Sequence, residues 1–540
     1  MQAGDVVVEG VDDEPEGHLA LVLGGAAAEH EHPGPLGGGG GRVEQGALAD
    51  SRFADDSERP HLALVSGVDG ALDLRGLPAP ADELHGASLG SRPGRARGRR
   101  GIPPMEAGGG RGDAGRAART DRKDSPMTSF LAYTSPAAGH LFPLVPGLME
   151  LRRRGHDVHV RTDPALVAGL RRVGLDAEPV DPRIAAIRPG GESGGNGLRT
   201  AYRALLERAA LDAPDLERAC AETGADAVLV DALAYGAGVA AERAGAPWAM
   251  TLPSLLPLPG AGIPPYGMAL PPARGPLGAL RDRLGWALVE RAYARALLPG
   301  LNELRRGRGL EPLHSPIDLF AAPDRVLVLT GPPLEYPRTD APANVSFVGA
   351  CSWDPPGPVP GGPPYLDEDG DPWVLVTCST DYQGDEQLAA TAIEALREEP
   401  VRVLVTLADA ASAARLPEAP NARVERFVPH GPVLRRAAAV VCHGGMGIVQ
   451  KSLAASVPVV AVPFGRDQPE IGRRLRECGA GRVVPRRRLR AERLRAAVRE
   501  AIADRAGAKA AAAELGAGDP PGAFADRCEE LTGAPRALPA

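Results

Sequence analysis

From residue 127 onward the chain is a series of short apolar runs separated by segments with a helical repeat. Residues 130–134 predict a strand, 143–154 an amphipathic helix and 157–162 a second strand. Further on, 227–230 predicts a buried strand and 236–244 a helix of small residues. After a proline-rich stretch at 354–371 the alternation resumes, with strands predicted at 373–378, 401–406, 424–427, 439–442 and 458–462. Strands alternating with helices predict an α/β fold with parallel sheets, and the proline-rich stretch predicts a linker between two such units. Two units of this kind leave a cleft between the carboxyl ends of their sheets, where ligands of open α/β sheets bind.

The first 126 residues follow neither period. They carry a glycine run at 37–41, basic glycine-rich stretches at 91–100 and 108–119, and short apolar pieces such as 19–23. Such composition predicts a disordered extension. The preferred reading is that translation begins at Met127, directly before the first clean strand.

Bulk composition narrows the function classes. A chain of 540 residues has room for two or three domains. Lys and Arg total 61 against 69 Asp and Glu, a net charge of -8, which argues against a general nucleic-acid binder. The six cysteines, Cys220, Cys351, Cys378, Cys442, Cys478 and Cys528, show no CxxC and define neither a zinc site nor a disulfide framework. The first five residues lack a basic region, and no stretch reaches the apolar length needed to cross a bilayer. The expectation is a soluble, cytoplasmic protein without stable membrane insertion.

Candidate chemistry falls at the ends of strands. In the second unit a buried run ends in Cys442-His443-Gly444-Gly445-Met446-Gly447 and opens into a helix predicted at 448–455. A helix N-terminus offers N–H groups and a positive dipole, and glycines let an anion approach the backbone. His443 adds a side-chain donor there. After the next strand, Asp467 and Gln468 place an acid beside an amide, a pair suited to a polyhydroxylated ligand. Asp467 also stands where it can cap the following helix. In the first unit, Ser135-Pro136-Ala137-Ala138-Gly139-His140 joins strand to helix and sets His140 at the sheet edge facing the cleft. Asp231 ends the strand at 227–230, again at a carboxyl edge.

This ordered set resembles the GT-B glycosyltransferases that decorate macrolides and other natural products. The similarity runs from about Met127 to the C-terminus and is most specific from Phe427 through Gln468. It implies two facing Rossmann-like domains with parallel sheets: an acceptor-binding domain at 127–353, a linker at 354–371 and a nucleotide-sugar-binding domain at 372–540. It also implies inverting transfer of a sugar from a UDP- or TDP-sugar to a hydroxyl of a small acceptor. By the resemblance, His443, Gly444, Gly445 and Gly447 hold the diphosphate, and Ser379 and Thr380 face the phosphates. Asp467 and Gln468 take the donor sugar hydroxyls, while Phe427, Val428 and His430 lie by the base and ribose. His140 is the general base that deprotonates the acceptor, and Asp231 orients it. The stretches 255–276 and 189–197 border the acceptor pocket. No metal and no resident cofactor is implied, the nucleotide diphosphate sugar being a co-substrate; a homodimer is left open. One departure stands out. The family usually has Thr or Ser after the last glycine of the phosphate turn, and this chain has Ile448.

Three further matches carry less. Gly191-Glu192-Ser193-Gly194-Gly195 fits the hydrolase nucleophile pattern, but no apolar strand leads into it. Gly236-Ala237-Gly238-Val239-Ala240-Ala241 loosely fits a dinucleotide fingerprint, and no acid follows at the required distance on a second strand. Asp367-Glu368-Asp369 lies in the linker, where solvated charge accounts for it. Two rival functions use the same architecture: a nucleotide-sugar-binding helper without transfer activity, which Ile448 keeps open and the joint retention of His140, Asp231, His443 and Asp467 argues against, and a nucleotide-sugar epimerase, which needs no acceptor cleft.

Overall fold

The computed structural model describes residues 127–187, 197–357, 359, 361–379, 385–407, 413 and 415–533. The extension 1–126, Thr380, the 191–195 motif and residues 189–196 of the expected pocket border lie outside them.

The first half is a seven-stranded sheet: β1 (Ser129–Tyr133), β2 (Asp157–Thr162), β3 (Asp176–Pro179), β4 (Ala227–Asp231), β5 (Trp248–Leu252), β6 (Arg325–Val328) and β7 (Val345–Phe347). The second half is a six-stranded sheet: β8 (Trp373–Thr377), β9 (Arg402–Thr406), β10 (Ala422–Glu425), β11 (Ala437–Cys442), β12 (Val459–Ala461) and β13 (Gly481–Val483). The orders are β3-β2-β1-β4-β5-β6-β7 and β10-β9-β8-β11-β12-β13. Every pairing is parallel. These are the two parallel-sheet units expected from the alternation, Rossmann-like as the resemblance implies. The strands β4, β5, β8 and β11 are buried at every position, as continuous apolar runs of a sheet covered on both faces should be.

In each sheet the strand order reverses beside the first strand. β1 lies between β2 and β4, and β8 lies between β9 and β11. Loops leaving the carboxyl ends of β1 and β4 therefore turn to opposite faces and leave a crevice, and the same holds for β8 and β11.

The halves are not divided strictly along the chain. Leu255 and Leu334, from the first half, are buried in the core beneath β8 and β11. Conversely, helix Pro520–Gly533 returns to the first half, where Phe524 and Cys528 are fully buried with Phe130, Leu148 and Leu151. Gly147, in helix Val145–Arg153, leaves room for the Phe524 ring, because a Cβ there would collide with it. Arg154 then pairs with Asp526 at 2.7 Å and Glu529 at 3.0 Å. A second domain drawn as 372–540 thus needs correction, since its last helix belongs by packing to the first core. The linker is tied to the second half at its start, where Asp354 accepts the Gly431 N–H at 2.8 Å and pairs with Lys451 at 2.6 Å. Among the described residues no helix is long and apolar enough to cross a membrane.

Candidate active site

At the first crevice, the register pairs Tyr133 of β1 with Val230 of β4. The next residue of β4, Asp231, therefore falls beside the loop that leaves β1. That loop turns into the short helix Ala138–Leu141 and carries His140 back over the strand end. His140 Nδ1 lies 2.7 Å from Asp231 Oδ2. The other carboxylate oxygen accepts from Ser135 Oγ at 2.6 Å and from the Leu233 N–H at 3.0 Å. Burial alone would push this carboxyl up. The charge and hydrogen bond of His140, with the bonds from Ser135 and Leu233, outweigh burial and hold Asp231 below the ordinary aspartate value. An ionised Asp231 fixes the proton on Nδ1, so neutral His140 carries its lone pair on Nε2, the arrangement of an oriented general base.

At the second crevice, Cys442 of β11 pairs with Thr377 of β8, which puts His443 beside the Cys378–Ser379 turn. Gly444 has φ +89°, a backbone conformation that favours glycine. A Cβ on Gly445 would collide with His443 Nε2, so this second glycine is needed for space. Helix Met446–Ala454 begins without a side-chain cap, and its first intrahelical bond runs from the Val449 N–H to the Gly445 carbonyl at 3.1 Å. The N–H groups of Met446, Gly447 and Ile448 are then the first-turn donors. A Cβ on Gly447 would meet nothing within 4 Å, so open space lies beside them. Burial pushes His443 down to about 4, with the Arg466 charge acting the same way and a bond to the Thr377 backbone opposing. His443 is therefore neutral near pH 7. Its Nδ1 is buried without a hydrogen-bond partner and lies 4.0 Å from Asp385 Oδ2. The same Asp385 oxygen accepts the Ser379 N–H at 2.6 Å.

The remaining expected donor residues divide. Strand β10 ends at Glu425, so Phe427 lies beyond it and is 51% exposed. Val428 is buried in the second core, which leaves its backbone rather than its side chain for a ligand. His430 begins helix His430–Leu434, with Nε2 3.3 Å from Thr406 Oγ1; burial, aided by Lys451, pushes it down to about 4. Gln468 is buried, and its side-chain oxygen accepts the N–H groups of Phe464 at 2.8 Å and Gly465 at 3.3 Å. That oxygen shapes the loop. Asp467 occupies the cap position of helix Gln468–Glu477 without capping it; its carboxylate instead accepts from Ser254 Oγ in the first half. Ile448 turns into the second core, so the missing hydroxyl has no place on the open side of the turn. The stretch 255–276 does reach the second half, where the Ala269 N–H meets Glu470 Oε1.

Sequence reasoning missed four residues here: Ser135, Ser254, Asp385 and Arg466. Ser135 sat within a loop already singled out. Arg466 is a non-glycine residue at φ +59° beside Asp467, a local conformation with no signature in a single sequence. Ser254 meets Asp467, and Asp385 comes near His443, only through the tertiary fold.

Comparison with known proteins agrees with this fold. Residues 392–531 match the family described as "Erythromycin biosynthesis protein CIII-like, C-terminal domain". The 4'-demethylrebeccamycin synthase of Lentzea aerocolonigenes is 33% identical over 388 residues, spanning 69% of this chain and 91% of that protein. Of solved structures, a calicheamicin glycosyltransferase is similar with a TM-score of 0.56 at 21% identity, over 76% of this chain and 99% of that one. A glycosyltransferase crystallised with dTDP is similar at 0.54 and 23% identity, over 75% and 98%. Two Rossmann-like parallel sheets are the fold of the GT-B type, and the chain belongs to the GT-B glycosyltransferases of natural-product biosynthesis.

Proposed function

We propose that the chain transfers a sugar, with inversion, from a UDP- or TDP-sugar to a hydroxyl of a small natural-product acceptor. The observation that carries this reading is the pairing of an oriented His140–Asp231 dyad at one switch point with an uncapped helix N-terminus and buried neutral His443 at the other. His140 Nε2 takes the acceptor proton as the acceptor oxygen bonds to the anomeric carbon. The bond from that carbon to the diphosphate breaks on the opposite side, and the first-turn N–H groups with His443 receive the departing oxyanion. Donor binding in a related fold supports the nucleotide assignment, since one similar structure holds dTDP.

A panel of UDP- and TDP-sugars, assayed by nucleotide release with phenolic and macrolide alcohols, tests the reading; the anomeric configuration of the product tests inversion. Transfer is expected to persist under strong chelation, because the helix N-terminus supplies the positive field at the diphosphate. A retained configuration, or donor binding with no acceptor ever turned over, defeats it.

A further inference from the structure

Helix Gly275–Gly307 runs for 33 residues. Spacings of three, four and four place Leu277, Leu280, Leu284 and Leu288 in one line along it. All four are exposed, at 84%, 53%, 58% and 59%. Arg291 and Arg295 continue the line at the next spacings of three and four, and both are exposed. They lead into an open cavity of about 550 Å³ whose walls include Arg291, Arg295, Asn302 and Arg306. Two of the three acids of this helix are engaged elsewhere. Asp282 is buried and paired with Arg281 at 2.6 Å, Glu290 accepts from Ser315 Oγ, and Glu303 is not part of the cavity wall.

A contiguous exposed leucine face is uncommon on a protein that works alone in water and marks a docking surface. Its occupant must be apolar along the leucines and anionic at the arginines. A second copy fails the second condition. A two-fold pair sets one face against itself, and the antiparallel register that matches Leu277 with Leu288 and Leu280 with Leu284 also sets exposed Arg291 near exposed Arg274. An anionic lipid surface meets both conditions. Leucines enter the acyl boundary while arginines meet the phosphates, as in helices that lie in a membrane interface. We propose that this face, from Leu277 to Arg295 and on to Arg306, docks the enzyme peripherally on an anionic lipid surface.

The test is flotation of the full chain with vesicles of phosphatidylcholine alone and of phosphatidylcholine mixed with phosphatidylglycerol. Binding is expected to the mixed vesicles only and to weaken as salt rises. The pairs Leu280→Glu with Leu284→Glu, and Arg291→Glu with Arg295→Glu, should each weaken it roughly tenfold or more. These side chains are exposed, so an unchanged melting profile should confirm that the variants fold. Absence of vesicle binding, equal binding to neutral vesicles, or binding kept by both variants overturns the proposal. So does a wild-type dimer that the leucine variant dissociates, which assigns the face to a second copy, or capture of an acidic amphipathic helix without vesicle binding.

Discussion

Ser254 in the first half donates its hydroxyl to the Asp467 carboxylate in the second, so the acid expected to bind donor sugar is held across the cleft by the acceptor-side half. A sugar hydroxyl that reaches Asp467 must compete with Ser254. One hydrogen bond contributes about 0.5–1.5 kcal/mol net. Ser254→Ala should therefore tighten nucleotide-sugar binding by about 2- to 10-fold and leave bare nucleotide binding unchanged. Asp467→Ala should weaken the nucleotide sugar by about 1–3 kcal/mol. Calorimetry with nucleotide and nucleotide sugar reads both. Weaker sugar binding in Ser254→Ala would show instead that the serine orders the carboxylate for the ligand.

The two histidines should separate cleanly. His140→Ala is expected to reduce turnover by roughly 10²–10⁴, the usual contribution of a positioned base, with nucleotide-sugar affinity near wild type. His443→Ala should weaken nucleotide and nucleotide sugar alike, because the diphosphate is common to both. A turnover assay beside calorimetry distinguishes them. Equal loss of donor affinity in the two variants contradicts the division of labour.

Ile448 is buried among Leu375, Val449 and Leu453 in the second core. Restoring the hydroxyl usual at this position buries a polar group without an assigned partner. Ile448→Thr should lower unfolding stability by about 1–3 kcal/mol and bring no gain in diphosphate affinity. Urea unfolding and nucleotide titration measure the two effects. Tighter nucleotide binding at unchanged stability would place residue 448 on the ligand side of the turn.

Acid should unfold the second half early. His430 and His443 are each held at about 4 in the fold, below the ordinary histidine value of 6.5. Between those values the unfolded chain binds protons that the folded chain refuses, so stability should fall as pH drops from 6.5 towards 4. The pair His430→Asn with His443→Asn should flatten that part of the curve. Equal steepness in wild type and variant would mean that other groups carry the acid response.

The site was legible wherever a local pattern decides geometry. An apolar run ending in His443-Gly444-Gly445 specifies a buried strand, a tight turn and a helix start, and a parallel sheet sends all such ends to one edge. The placement of His140 and Asp231 followed for the same reason. Direction within a segment was not legible. Phe427 and Val428 are neighbours, yet one is exposed and the other buried, because β10 stops two residues before Phe427. Gln468 and Asp467 read as one pair, but a loop conformation spends the amide oxygen on backbone while the acid reaches the other half. Contacts across long chain separations, such as Asp385 beside His443, leave no trace in periodicity.

The last helix, Pro520–Gly533, illustrates the same limit and gives a direct test. Nothing in its sequence says which half covers its apolar face. Phe524 lies against the backbone of helix Val145–Arg153 at Gly147, and Glu529 pairs with both Arg154 and His156. Replacing a fully buried phenylalanine by alanine costs about 3–5 kcal/mol through lost transfer energy and the cavity left behind. Phe524→Ala should therefore speed hydrogen exchange in β1 and in helix Val145–Arg153, far along the chain from the substitution. Exchange in β8 and β11, nearer in sequence, should stay protected. Faster exchange confined to β8 and β11 would assign the helix to the second half and contradict the packing described.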